Sequence, residues 1–140
     1  MPDAVHRQVE AVNTAFYEAI ENADLDSMLD LWVDDPGVVC VHPGALPVRG
    51  PGPVSRSWAV VMAHTSYIQF FLTDVEVAVH GEAASVTCTE NVLTGDERTG
   101  PEEFGGGKAV ATNVFLRTPD GWRLWLHHAS PVLAAADGDR

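Results

Sequence analysis

The sequence predicts an α+β fold in one domain, and three observations carry that prediction. Helical periodicity dominates the first half of the chain. From Tyr67 the period becomes strand-like. The chain then closes on two β-branched and aromatic runs that flank a strong turn. Helices followed by a run of antiparallel strands place the helices on one face of a curved sheet. A chain of 140 residues suits one core and needs neither disulfides nor metal to fold.

The elements follow in order. Asp3 can cap a helix running to about Asn22, because Val5, Val9, Val12, Phe16 and Ile20 recur at steps of three and four. Asp24 can cap a short second helix with Leu25, Met28, Leu29 and Trp32 on one face. Asp34-Asp35-Pro36-Gly37 ends it, since Pro cannot continue a helix and Gly turns the chain. Val38–His42 reads as a short buried strand, and Val48-Arg49-Gly50 as its return. Pro51-Gly52-Pro53 starts a third helix, with Val54, Trp58, Val61, Met62 and Thr65 on one face.

Tyr67–Val79 and Ala83–Leu93 are two long strands; a turn at His80-Gly81 would face Val77 with Ala84 and Val75 with Val86. The stretch Thr94–Gly107 has no apolar period and is rich in Gly and acid, as expected of a long loop that covers a site or moves. Its three glycines lack the lysine and the leading strand of a phosphate-binding loop.

The final hairpin pairs Lys108–Arg117 with Trp122–Ser130 across Thr118-Pro119-Asp120-Gly121. If Arg117 faces Arg123, then Leu116–Leu124, Val114–Leu126 and Thr112–His128 share one face. Phe115–Trp125, Asn113–His127 and Ala111–Ala129 share the other. Both faces then carry large apolar groups and need two covers. The chain's own helices supply one, and a second copy of the protein the other. Residues 134–140 read as a frayed tail.

A net charge of −12 argues against nucleic acid and anionic membrane surfaces as partners. No apolar run approaches the roughly 18 residues of a membrane span, and no signal-peptide pattern opens the chain. The default location is therefore cytoplasmic. Cys40 and Cys88 lie within apparent strands and read as buried free thiols, ahead of a disulfide or a catalytic thiol. No spacing of His, Cys or carboxylates resembles a metal site, and no cofactor is expected.

Three local features resemble the nuclear-transport-factor-2-like superfamily and its SnoaL-like proteins. They are the acidic element Asn22–Asp26 after the first helix; Val41-His42-Pro43-Gly44 followed by Arg49-Gly50 and a helix; and Asp120-Gly121-Trp122-Arg123-Leu124 running to His127-His128-Ala129-Ser130. The resemblance covers about residues 4 to 133. It implies a cone-shaped, strongly curved antiparallel sheet wrapped around the N-terminal helices, a cystatin-like α+β barrel with an internal pocket. It also implies a homodimer formed through the sheet's outer face. The superfamily contains isomerases, dehydratases, cyclases, hydrolases and non-catalytic binding and assembly domains, so fold does not carry function. The isomerases' Tyr and paired Asp arrangement is not found here, and the full Tyr/His/Asp set of scytalone dehydratase is not evident either.

The candidate chemistry rests on a few side chains. His127 and His128 are adjacent on a strand and point to opposite faces. His128 is expected inward, sharing its face with Trp122, Leu124 and Leu126. His127 is expected outward, joining Asn113, Phe115 and Trp125 at the dimer interface. Glu90 lies on the apolar side of its strand, where a carboxylate has its pKa raised or is paired. A pocket role and a salt bridge to Arg49 or Lys108 both remain open. His42 ends the first strand at a rim position or as a loop cap. Trp32, Trp58, Met62, Tyr67 and Arg49 are the candidates to line a pocket. The expected function is binding of a small hydrophobic or aromatic molecule. The alternatives are a cofactor-independent lyase, isomerase or cyclase using Glu90 with His128 or His42, and a dimeric assembly domain.

Overall fold

A computed structural model describes residues 3–95 and 105–133. The order is α1 (Ala4–Glu21), α2 (Leu25–Asp30), β1 (Val39–Val41), β2 (Val48–Arg49), α3 (Pro51–His64), β3 (Tyr67–His80), β4 (Ala83–Gly95), β5 (Gly105–Thr118) and β6 (Gly121–Pro131). This is the expected α+β architecture. The six strands form one curved sheet in the order β2-β1-β6-β5-β4-β3. The sheet does not close, because β2 and β3 remain edges. All pairs are antiparallel except β1 with β6, which run parallel.

The caps are those the sequence predicts. Asp3 accepts from the His6 amide at 2.9 Å and Asp24 from the Ser27 amide at 3.1 Å. Gly50 (φ 91) begins α3, and its amide donates to Val38 O at 2.9 Å, tying the helix start to β1. The inner face of α1 buries Val9, Asn13, Phe16, Tyr17, Ala19 and Ile20 against the sheet. The edge strand β3 has its Phe70 amide capped by Glu21 Oε2 at 2.8 Å, so α1 partly covers an open edge.

Two bulges shape the sheet. In β3 the register shifts between Thr73 and Glu76, with Asp74 at φ 53. Ile68, Phe70 and Leu72 face inward before it, and Val75, Val77 and Val79 after it. The β3–β4 register is two residues from the expected one: Val77 faces Val86 and Val79 faces Ala84, across a turn at Gly81-Glu82.

The second bulge corrects the predicted hairpin. Val114 faces Leu126, Asn113 faces His127 and Thr112 faces His128, as counted. Phe115, however, faces Leu124, and Arg117 faces Trp122. Trp125 is the extra residue. One extra residue flips the side-chain phase of everything beyond it. Trp122 and Leu124 point inward before the bulge, and His127 and Ala129 after it. His128 is therefore exposed on the outer face, and His127 is the inward histidine. Phe115 and Asn113 are fully buried within this chain, so they and His127 do not belong to an outer interface. Trp125 does stay outside, 36% exposed, with its indole 3.4 Å from Asp35 Oδ2.

Strand β4 extends to Gly95 and β5 begins at Gly105, shortening the expected loop at both ends. Whether that loop covers the pocket, and the fraying of residues 134–140, lie outside the described residues.

Candidate functional site

The inward side chains of β5 shrink along the strand. Read from the hairpin back toward its start they are Phe115, Asn113, Ala111, Ala109 and Gly107. Phe115 fills the narrow end of the core, and Ala109 and Gly107 leave the other end empty. A cavity of about 320 Å³ results. Its apolar walls are Ile20, Trp58, Val61, Ile68, Phe70 and Val92, and its polar residues are Glu90, His42, His127 and Lys108.

Glu90 reaches this cavity because it follows Val86 and Cys88 at the strand period of two on the inner face of β4. It is 3% exposed. Its partner is the Tyr17 hydroxyl, which donates to Oε2 at 2.6 Å; neither Arg49 nor Lys108 bonds it. Asn113 Nδ2 donates to the same hydroxyl oxygen at 3.2 Å and to Asn13 Oδ1 at 2.8 Å. Asn113 Oδ1 then accepts from His127 Nδ1 at 2.6 Å. A continuous buried chain therefore joins two residues on the cavity wall: Glu90, Tyr17, Asn113, His127. No hydrogen bond to Glu90 Oε1 or His127 Nε2 occurs among the described residues.

His42 sits beyond the end of β1, and His127 on β6 faces Cys40 of β1. The His42 Nε2–Ser57 Oγ distance is 3.0 Å. Ser57 Oγ already donates to Val54 O at 2.8 Å, so His42 Nε2 is the donor and its Nδ1 is left as an acceptor. Trp58 packs edge-on to both His42 and Phe16, with ring centroids 4.7 Å and 5.5 Å apart. The His127 ring lies 4.8 Å from that of Phe16.

Burial dominates the electrostatics. It pushes the His127 pKa down to about 3, helped by repulsion from His42 and His128, so the imidazole is neutral near pH 7. Burial lowers His42 as well. It raises Glu90, against the pull of the Tyr17 hydrogen bond, and raises Tyr17 further because ionised Glu90 lies beside it. The Cys40 thiol is pushed up to about 12, and both cysteines are free, which makes Cys40 a packing residue. No group of three or more His, Cys, Asp or Glu that could hold a metal ion exists among the described residues. A neutral imidazole and a carboxyl of raised pKa on the wall of one cavity are groups that can accept and deliver protons.

The structure thus brings together Glu90, His42 and Trp58 of the residues singled out in the sequence, and joins to them His127, which was expected at the outer interface. It separates the others. Trp32 lines a different recess of about 200 Å³ with Leu29, Val38 and Val54. Met62, Tyr67 and Arg49 do not line the Glu90 cavity, and the Tyr67 hydroxyl donates to Gln69 Oε1 at 2.7 Å. Sequence reasoning missed Asn13 and Tyr17. Their signal was there: two polar-tipped residues four apart, placed where Val9, Phe16 and Ile20 define the buried stripe of α1.

Comparison with known proteins bears on the fold. Residues 9–135 match the model of the SnoaL-like domain. A crystal structure of a putative dehydratase from the NTF2-like family of Streptomyces avermitilis is 53% identical, with a TM-score of 0.87, covering 96% of this chain and 100% of that one. A putative calcium/calmodulin-dependent protein kinase type II association domain from Thiobacillus denitrificans is 31% identical, with a TM-score of 0.78, covering 94% and 100%. The F-box protein SKIP8 of Arabidopsis thaliana is 26% identical over 130 residues, covering 93% of this chain; the chain spans about half the length (52%) of that curated relative. No helix among the described residues is long and apolar enough to cross a membrane. With a SnoaL-like match over nearly its whole length and NTF2-like folds around it, the chain belongs to the SnoaL-like family of the nuclear-transport-factor-2-like superfamily.

Proposed function

We propose that the chain binds a small, largely apolar molecule in the cavity between α1, α3 and the inner face of the sheet. One observation carries this reading: an apolar cavity of about 320 Å³ has Glu90 and His127 on its wall, at the two ends of one buried hydrogen-bond chain. Buried polar groups that cost this much desolvation fit a ligand whose own polar atoms meet them. A crystallographic fragment screen tests the reading. Ordered density beside Glu90 and His127 supports it, and a screen in which aromatic fragments settle only elsewhere refutes it.

A second reading has a specific basis. On this reading the same two side chains would serve as acid and base on one cavity wall, with His127 in the place expected for His128. Elimination of water is the reaction class to assay first, because the 53% identical Streptomyces avermitilis protein is described as a putative dehydratase. In that reaction His127 Nε2 takes a proton from carbon, and Glu90, when protonated, delivers one to the departing hydroxyl. The C–H and C–O bonds break, a C=C bond forms and water leaves. Proton exchange with solvent restores both groups. Turnover that survives His127→Phe with unchanged kcat would exclude the scheme.

A homodimer through the outer face of the sheet is part of the proposal. Phe71, Val110 and Trp125 are exposed there, at 54%, 48% and 36%.

A further inference from the structure

We propose that ionised Glu90 sets the tautomer of His127 from the far end of the hydrogen-bond chain, so that the cavity presents a bare Nε2 and selects ligands that carry a hydrogen-bond donor. The inference rests on the binding reading above and adds the polarity of the ligand. Each donor and acceptor role follows from the one before. A carboxylate can only accept, so the Tyr17 hydroxyl must give its one proton to Glu90 Oε2. The Tyr17 oxygen can then only accept, and it takes a proton from Asn113 Nδ2. The second proton of that amide goes to Asn13 Oδ1. With its nitrogen spent twice, Asn113 can offer His127 nothing but Oδ1. His127 Nδ1 must carry the proton, and the Nε2 of a neutral ring is left bare. All the links are buried, so water does not compete for them.

Asn113 and Tyr17 are on this view positioning residues. They act on the ligand through His127 and Glu90, and a ligand sees only their effect on which nitrogen holds the proton. His42 extends the pattern, because its Nε2 is committed to Ser57 and its Nδ1 is the acceptor. The histidines thus offer the cavity acceptors. A hydroxyl-bearing neutral molecule, a phenol or an enol, meets them with a proton. A carboxylate of the same size brings His127 only a further acceptor, beside acidic Glu90, and Lys108 on the lining is the one group among the described residues that would favour it.

The first measurement uses the unliganded wild-type protein. Long-range proton–nitrogen correlation spectra at pH 7 distinguish the protonated from the bare nitrogen of the His127 ring. The expected spectrum shows Nδ1 protonated and Nε2 bare; a protonated Nε2 overturns the proposal. Glu90→Gln replaces the obligate acceptor with an amide that can also donate, and Tyr17→Phe cuts the chain. At least one should raise the Nε2–H population measurably, and wild-type tautomers in both overturn the claim that Glu90 is the source. The ligand arm compares 2-naphthol, naphthalene and 2-naphthoate by chemical-shift titration. One net hydrogen bond makes naphthol bind about 2- to 10-fold tighter than naphthalene, and naphthoate weaker than naphthol. Equal binding of naphthol and naphthalene, or tighter binding of naphthoate, overturns the polarity. If none of the three binds, the cavity reading is what has failed, and the nitrogen spectra still decide whether Glu90 sets the tautomer.

Discussion

Tyr17→Phe removes one oxygen from the centre of the buried chain. Glu90 loses its 2.6 Å donor while 3% exposed, and Asn113 loses one of two acceptors. A hydrogen bond to a charged group contributes about 1.5–3 kcal/mol, and an orphaned buried donor costs about 1–3 kcal/mol more. The ring keeps its packing, so destabilisation of about 2.5–6 kcal/mol is expected. Its pH dependence is the sharper part. Burial already raises Glu90. A carboxyl whose folded pKa lies above its unfolded value favours the fold fully below the unfolded pKa, and that contribution is lost as pH rises through the folded pKa. Without the Tyr17 hydroxyl the folded pKa rises further. The variant should thus sit closest to wild type near pH 4 and furthest from it near pH 8. Urea unfolding followed by tryptophan fluorescence at both values measures this. A difference below about 0.5 kcal/mol, the usual range for surface substitutions, or one independent of pH, would show that Glu90 is not held as described.

Other consequences are separately testable. His127 has the opposite sign: its folded pKa of about 3 lies below the unfolded value, so its share of stability is present above about pH 6.5 and is lost as pH falls toward 3. Its ring-proton shifts should stay flat from pH 8 to 5; a His127 midpoint near 6.5 would contradict its burial. The paired glycines of β5 should part company. A Cβ on Gly106 would stand 2.5 Å from Val92 O, whereas one on Gly107 meets nothing within 4 Å. Gly106→Ala should lower stability by about 1–3 kcal/mol and Gly107→Ala hardly at all, and equal thermal midpoints would disprove the strand register there. Trp125→Glu should give monomers or aggregates by size-exclusion chromatography with light scattering, and a dimer of unchanged size would remove the outer face as the interface.

Much of the architecture was legible because it rests on local rules. The caps at Asp3 and Asp24, the proline start of α3 and the period-two apolar runs of β3 and β4 each act within a few residues. Glu90 could be placed inward from the alternation Val86, Cys88, Glu90 alone. His42 was recognised by its position after β1, although nothing in the sequence put it beside Trp58 and Ser57.

What the sequence by itself determined, then, was the order of elements, the α+β class and the inward carboxylate, since periodicity and turn chemistry are properties of neighbouring residues. Which histidine faces the cavity was decided only in the tertiary structure. In β6, Trp122, Leu124, Leu126 and His128 make as good a face as Trp125, His127 and Ala129, so alternation cannot choose between them. The choice is made at Trp125, where one extra residue against β5 flips the phase while Phe115 and Leu124 fill the core together. The pairing of Tyr17 with Glu90 and Asn113 spans 73 and 96 residues. It exists because α1 crosses the inner face of a sheet that curves around it, and no local pattern encodes a contact at that range.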